Sequence, residues 1–183
     1  MLTKDILRTS ELIPGNKYKK IIGCLRSPGV QVVIVLRFGQ WLQKKEIIRR
    51  ILLEPIFILL FDYVRIVWGI EIPREADIGE GLYIGHYGGI IISPDTKIGR
   101  NANISHQVTI GVSGQGEKRG GPTIGDNVYI APGAKIFGKI KIGNNVKIGA
   151  NAVVYKDIPD NAIVVLDPGF TILSYQGNTP INK

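Results

Sequence analysis

Residues 124–154 read IGDNVYIAPGAKIFGKIKIGNNVKIGANAVV, and within them Ile124, Ile130, Ile136, Ile142, Ile148 and Val154 recur at a fixed interval of six. An α-helix repeats at 3.6 residues and a simple strand at 2, so neither explains a strict six. The interval extends backwards through Ile98, Ile104 and Ile110, and before them through Ile72, Ile78, Ile84 and Ile90. Its only offsets fall at 90–98 and 110–124. Glycine often follows the aliphatic residue, as at Gly79, Gly99, Gly125 and Gly143, and Asn or Asp recurs within the repeats, as at Asn101, Asp126, Asn127 and Asn145. These residues tolerate tight, partly left-handed turns that β-branched residues resist. The arrangement that satisfies the pattern is a triangular coil with three six-residue sides per turn. Each aliphatic residue points into the prism, and successive turns pair as parallel strands about 4.8 Å apart. Each buried isoleucine then stabilises by about 1.5–3 kcal/mol, and each turn supports only its neighbours.

The two offsets mark chain that leaves the prism. About two extra residues lie near Gly88–Ser93, and a longer excursion, GVSGQGEKRGGP, runs from Gly111 to Pro122. That excursion is glycine-rich and basic, but it lacks the spacing of a phosphate-binding P-loop.

Residues 1–70 have a different texture. They hold 12 Lys+Arg against 5 Asp+Glu, a balance of +7, whereas residues 71–183 hold 11 against 10. Lys4 to Lys20 is polar, with Pro14-Gly15 as a breaker, and is expected to include loop. From Val30 to Ile70 apolar residues are dense, and two packed helices are expected there, the second bent near Pro55. The run Ile51–Phe61 is too short to span a bilayer and contains Glu54 and Pro55. A basic and apolar segment points to an oligomer contact or an anionic membrane surface rather than to nucleic acid. The organisation expected is therefore a helical region over 1–70, serving one of those contacts, and a β-helix domain with a C-terminal tail over 71–183. The single cysteine, Cys24, excludes an internal disulfide. With MLTKDILRTS lacking the apolar core of a signal peptide, a cytoplasmic location is expected, with the inner membrane face as the place of any peripheral contact.

The chain has only two histidines, His86 and His106, each two residues after a repeat isoleucine, Ile84 and Ile104. Their separation of 20 is one 18-residue turn plus the two-residue insertion, so they are expected to stack on adjacent turns. Two imidazoles in register offer a general base, since neutral imidazole accepts a proton near pH 7. A zinc site of three histidines is excluded by the count, and no metal is expected. A non-catalytic scaffold has no need of two histidines in register.

The stretches EIPREADIGEGLYIGHYGGIII (71–92), NISHQVTIG (103–111) and YIAPGAKIFGKIKIGNNVKIGANAVV (129–154) resemble the hexapeptide-repeat acyltransferases. Within that family they resemble the serine-acetyltransferase branch, and within the branch its saccharide-modifying members. The resemblance implies a left-handed β-helix, acetyl-CoA as co-substrate, and a trimer or dimer of trimers with the site between neighbouring prisms. It implies His86 as general base and Glu71, fifteen residues earlier, as the carboxylate that orients it. It also implies acceptor contacts from His106 and Arg119. A coenzyme groove is implied along Gly111, Ala131, Pro132, Gly149 and Ala150, with Lys147 and Lys156 as phosphate contacts. Two charged residues of the serine-binding set are replaced by Gly85 and Gly120, so the expected acceptor is a saccharide hydroxyl of a polysaccharide or lipid-linked precursor, with serine as the alternative. The family's terminal Gly-x-Pro-Ala-Arg is reduced to the proline of Leu166-Asp167-Pro168-Gly169-Phe170.

Overall fold

A computed structural model describes residues 1–166. Its β region is the triangular coil that the six-residue interval demands, with fourteen short parallel strands in three sheets. The first side stacks β1 (Ile70–Glu71), β4 (Ile90–Ile92), β7 (Thr109–Gly111), β10 (Lys135–Phe137) and β13 (Val153–Val154). The second stacks β2 (Asp77–Ile78), β5 (Lys97–Ile98), β8 (Thr123–Ile124) and β11 (Lys141–Ile142). The third stacks β3 (Tyr83–Ile84), β6 (Asn103–Ile104), β9 (Tyr129–Ile130), β12 (Lys147–Ile148) and β14 (Ile163–Val164). The repeat isoleucines fill the interior, and Ile78, Ile90, Ile104, Ile110, Ile130, Ile136 and Ile148 are fully buried. At the corner between the second and third sides, Asn101, Asn127, Asn145 and Asn161 all take left-handed φ of 56–62°. Their side chains form a ladder, each amide donating to the next at 3.0 Å. This is why asparagine recurs where β-branched residues do not.

Register refines the first offset. Ile92, rather than Ile90, pairs with Ile110, and Ile72 precedes Ile92 by 20 residues. The two extra residues therefore lie between Ile84 and Ile92, in a corner where Gly88 and Gly89 have φ of 102° and 67°. The second excursion leaves between β7 and β8. It closes on itself through an antiparallel bridge between Ser113 and Gly120.

The N-terminal region contains four helices: α1 (Leu2–Leu12), α2 (Lys17–Arg26), α3 (Pro28–Gln43) and α4 (Ile47–Trp68). The expectation of loop within Lys4–Lys20 is corrected, because both sides of Pro14-Gly15 are helical. Asn16 caps α2 by accepting from the Lys19 N–H at 3.1 Å, Ser27 caps α3, and Gly69, at φ 62°, ends α4. The helix α4 continues through Pro55 as one element. Gly29, in the first turn of α3, lies so close to β3 that a Cβ would land on the carbonyl oxygen of Ile84. Among the described residues no single helix is long and apolar enough to cross a membrane. The bent pair α2–α3 passes by length and composition alone, while much of α3 is core.

Hydrogen bonding explains how the helices attach. Parallel neighbours exchange hydrogen bonds in both directions, as where the Asp77 N–H donates forward to Thr96 and the Asn101 N–H donates back to Glu80. The first turn is thereby left with N–H groups and carbonyls that no earlier turn can satisfy. The helices supply the partners. Arg37 donates to the carbonyls of Ile78 (2.7 Å) and Gly79 (2.6 Å), Gln40 to that of Ala76 (3.0 Å), and Arg8 to that of Gly81. Asp5 accepts from the N–H groups of Gly81 and Leu82 and from the Arg37 guanidinium. Asp5 and Arg37 are 1% and 6% exposed. On the far flank Arg74 grips Glu54 of α4, and that guanidinium holds the Glu54 carboxyl below its ordinary range. Part of the basic excess of residues 1–70 thus caps a backbone edge.

Candidate active site

Strand β3 pairs with β6, Tyr83 opposite Asn103 and Ile84 opposite Ile104. Two residues beyond each isoleucine the chain turns the corner from the third side to the first, carrying His86 and His106. Their ring centroids lie 5.8 Å apart with planes at 89°. The same pairing continues through Ile130 and Ile148. Position by position, His86, His106, Pro132 and Ala150 therefore form one column along a single prism edge. The preceding positions, Gly85, Ser105, Ala131 and Gly149, are all small. The edge is thus a shallow strip of small side chains leading to two imidazoles.

The two histidine corners differ. His86 is exposed and is followed by the glycine-widened segment, with Tyr87 set edge-on to Trp68 at 5.1 Å. His106 is partly buried. Its carbonyl accepts from the Gly133 N–H at 3.1 Å, and the following residue, Gln107, has φ 59°. The Lys135 ammonium donates to the Gln107 carbonyl at 2.6 Å and to the Thr109 hydroxyl at 3.1 Å. Lys135 was not anticipated from sequence. Its only signal is its place opposite Thr109 on the outer face of the first side.

Other expected residues lie elsewhere. Glu71 is exposed on the outer face of the first side beside Ile91, and among the described residues it makes no hydrogen bond to His86. Arg119, exposed at the end of the excursion, and Lys156 belong to the corners between the first and second sides, across the first sheet from the histidines. Gly111 ends β7 at that same far edge, against the ring of Phe137. Lys147 projects from the third side between Tyr129 and Ile163. One chain therefore gathers His86, His106, Ala131, Pro132, Gly149 and Ala150, but not Arg119, Gly111 or Lys156. The terminal motif, apart from Leu166, lies outside the described residues. Cys24 is buried among the helices, and burial pushes its thiol up from the ordinary value.

The pattern of bacterial transferase hexapeptide repeats (six repeats) matches residues 121–156. A serine acetyltransferase of Helicobacter pylori is 37% identical over 157 residues, covering 86% of both chains. The chain belongs to the serine acetyltransferase family of hexapeptide-repeat acyltransferases. A second relative, the serine acetyltransferase of Mycobacterium tuberculosis, is 39% identical over 145 residues, 79% of this chain and 61% of that protein. The chain thus spans less than two thirds of that relative and most of the first. Among solved structures, soybean serine acetyltransferase complexed with serine superposes with a TM-score of 0.75 at 31% identity, over 91% of this chain and 66% of the other. The Neisseria gonorrhoeae enzyme gives 0.74 at 31% identity, over 91% and 64%. The coil is accordingly a left-handed β-helix with an N-terminal region of four helices. These matches overturn the saccharide acceptor and the polysaccharide pathway expected from Gly85 and Gly120. The relatives and structural neighbours are serine acetyltransferases, and two missing charges weigh less than similarity along most of the chain.

Proposed function

We propose that this chain transfers the acetyl group of acetyl-CoA to the hydroxyl of serine, with His86 as general base. The observation that carries the reading is the column of His86 and His106 above Pro132 and Ala150, in a chain that matches a serine acetyltransferase over 86% of its length. A ring nitrogen of His86 takes the serine hydroxyl proton as the oxygen attacks the thioester carbonyl carbon. When the tetrahedral intermediate collapses, the C–S bond breaks and the proton passes to the sulfur, leaving O-acetylserine and free coenzyme A. Transfer is direct, because the one cysteine is buried in the helical region and a buried thiol is a poor nucleophile.

The small residues Ala131, Pro132, Gly149 and Ala150 give the pantetheine arm a close approach to the backbone, with Lys147 beside them for a phosphate. Arg119 faces away from its own histidines, so its contact with the serine carboxylate requires the excursion of a neighbouring copy. Gly111 and Lys156, at the same far edge, would serve a coenzyme held between copies. A trimer supplies that arrangement. The role assigned to Glu71 in this reading is to orient His86 once acceptor and neighbour close the site. Acetyl-CoA and serine are metabolites of the cytoplasm, which is the location this reading assigns. The test is release of coenzyme A thiol from acetyl-CoA with and without serine. Serine-dependent release is expected, and turnover that is indifferent to serine would refute the assignment.

A further inference from the structure

The two imidazoles at the site are not equivalent in what their nitrogens can reach. His106 Nδ1 is buried and has no hydrogen-bond partner. The ring as a whole is only partly buried, so its accessible edge is the one that carries Nε2. The backbone beneath it is held by the Gly133 N–H, by left-handed Gln107 and by the Lys135 ammonium. A neutral imidazole carries one proton, and its position follows from the partners of the two nitrogens. A proton on Nδ1 would be a buried donor with neither water nor protein to receive it. A buried lone pair there forfeits less, since unsatisfied acceptors are better tolerated than orphaned N–H groups. His86 is under no such constraint, being exposed on a glycine-widened corner.

We infer that His106 is held as the Nε2–H tautomer and acts as a hydrogen-bond donor to the acceptor oxygen that His86 deprotonates, not as a second base. This rests on the reading of the column as an acyl-transfer site. No hydrogen bond joins the two rings among the described residues, and their centroids are 5.8 Å apart. Rings this close can share one oxygen bound beside them, at about 2.8 Å from a nitrogen of each. The acceptor hydroxyl would then give its proton to His86 while a lone pair takes the Nε2–H of His106. The bond fixes which lone pair is left to attack the thioester.

Two measurements test this. Long-range nitrogen–proton NMR of the imidazoles in the unmodified protein, without substrate, should show His106 bare at Nδ1 and protonated at Nε2. A proton found on Nδ1 would overturn the inference, whatever the enzyme acetylates. In kinetics, His106→Ala should raise the KM for serine about tenfold, the worth of one hydrogen bond. The acid limb of the kcat profile should be unmoved. His106→Gln, whose side-chain amide restores a donor, should recover most of that loss. If the acid limb moved in His106→Ala, or if glutamine were no better than alanine, His106 would not be the donor. Absence of serine turnover in the unmodified protein, with the tautomer as expected, would indict the choice of acceptor and leave the assignment of the proton standing.

Discussion

His86 stands on a corner two residues longer than those that follow it, and Gly88 and Gly89 supply the extra length with positive φ. This lifts the ring into solvent, while Ile84, its neighbour in sequence, stays in the core. Core and chemistry are thus separable within three residues. His86→Ala is expected to lower turnover about 10²–10⁴-fold, the usual worth of a general base. Assembly and acetyl-CoA binding, followed by light scattering and calorimetry, should survive. Glu71→Gln should cost less, because it disturbs the orientation of the ring but keeps the imidazole. A double variant no worse than His86→Ala would show the two acting as one unit. Normal turnover in His86→Ala would remove the base from this corner. The histidine pair was legible because its separation equals one turn plus one insertion, an arithmetic any regular coil preserves. The same arithmetic puts Arg119 one corner further on, since its excursion leaves between Ile110 and Ile124 whereas His106 lies between Ile104 and Ile110.

Among the elements, α1 and α3 are fitted to a backbone edge rather than to a surface. Asp5, Arg8, Arg37 and Gln40 occupy the carbonyls and N–H groups that the first turn exposes. Arg37→Ala would strand Asp5 as a buried charge and free two carbonyls, so a loss of about 3–5 kcal/mol is expected in denaturant unfolding. Arg65→Ala, removing an exposed pair with Asp62, should change stability by less than about 1 kcal/mol. Equal effects of the two substitutions would refute the capping role. The strands were read correctly because burial selects aliphatic residues at a fixed period. The polar helices α1 and α2 were partly read as loop for a converse reason. In α1 the charged residues Asp5 and Arg8 satisfy backbone groups distant in sequence, and nothing local distinguishes such a residue from a solvated one.

For the molecule as a whole, α4 presents an extended apolar surface that no other described residues cover. Of its 22 residues only Phe57 and Val64 are buried, while Ile48, Ile51, Leu52, Leu59 and Ile66 are 65–77% exposed. A helix apolar on nearly every side is normally covered. We expect light scattering to give about three times 20.1 kDa, or a multiple of it, with activity confined to that species. An active monomer would refute this. Sedimentation with anionic vesicles locates the cover, since a trimer that stays in the supernatant has buried the helix among its own copies, whereas one that pellets has left it to the membrane.

A coil of stacked parallel turns has two open ends, and each offers both N–H groups and carbonyls. Each end is a template for the other, and identical prisms could join head to tail into an open filament without any change of fold. At one end the guanidinium of Arg37 and the carboxamide of Gln40 take up the carbonyls of Ile78, Gly79 and Ala76, and the carboxylate of Asp5 takes up the N–H groups of Gly81 and Leu82. The basic N-terminal segment is therefore also a chain terminator, keeping a repeat fold that has no intrinsic length from polymerising.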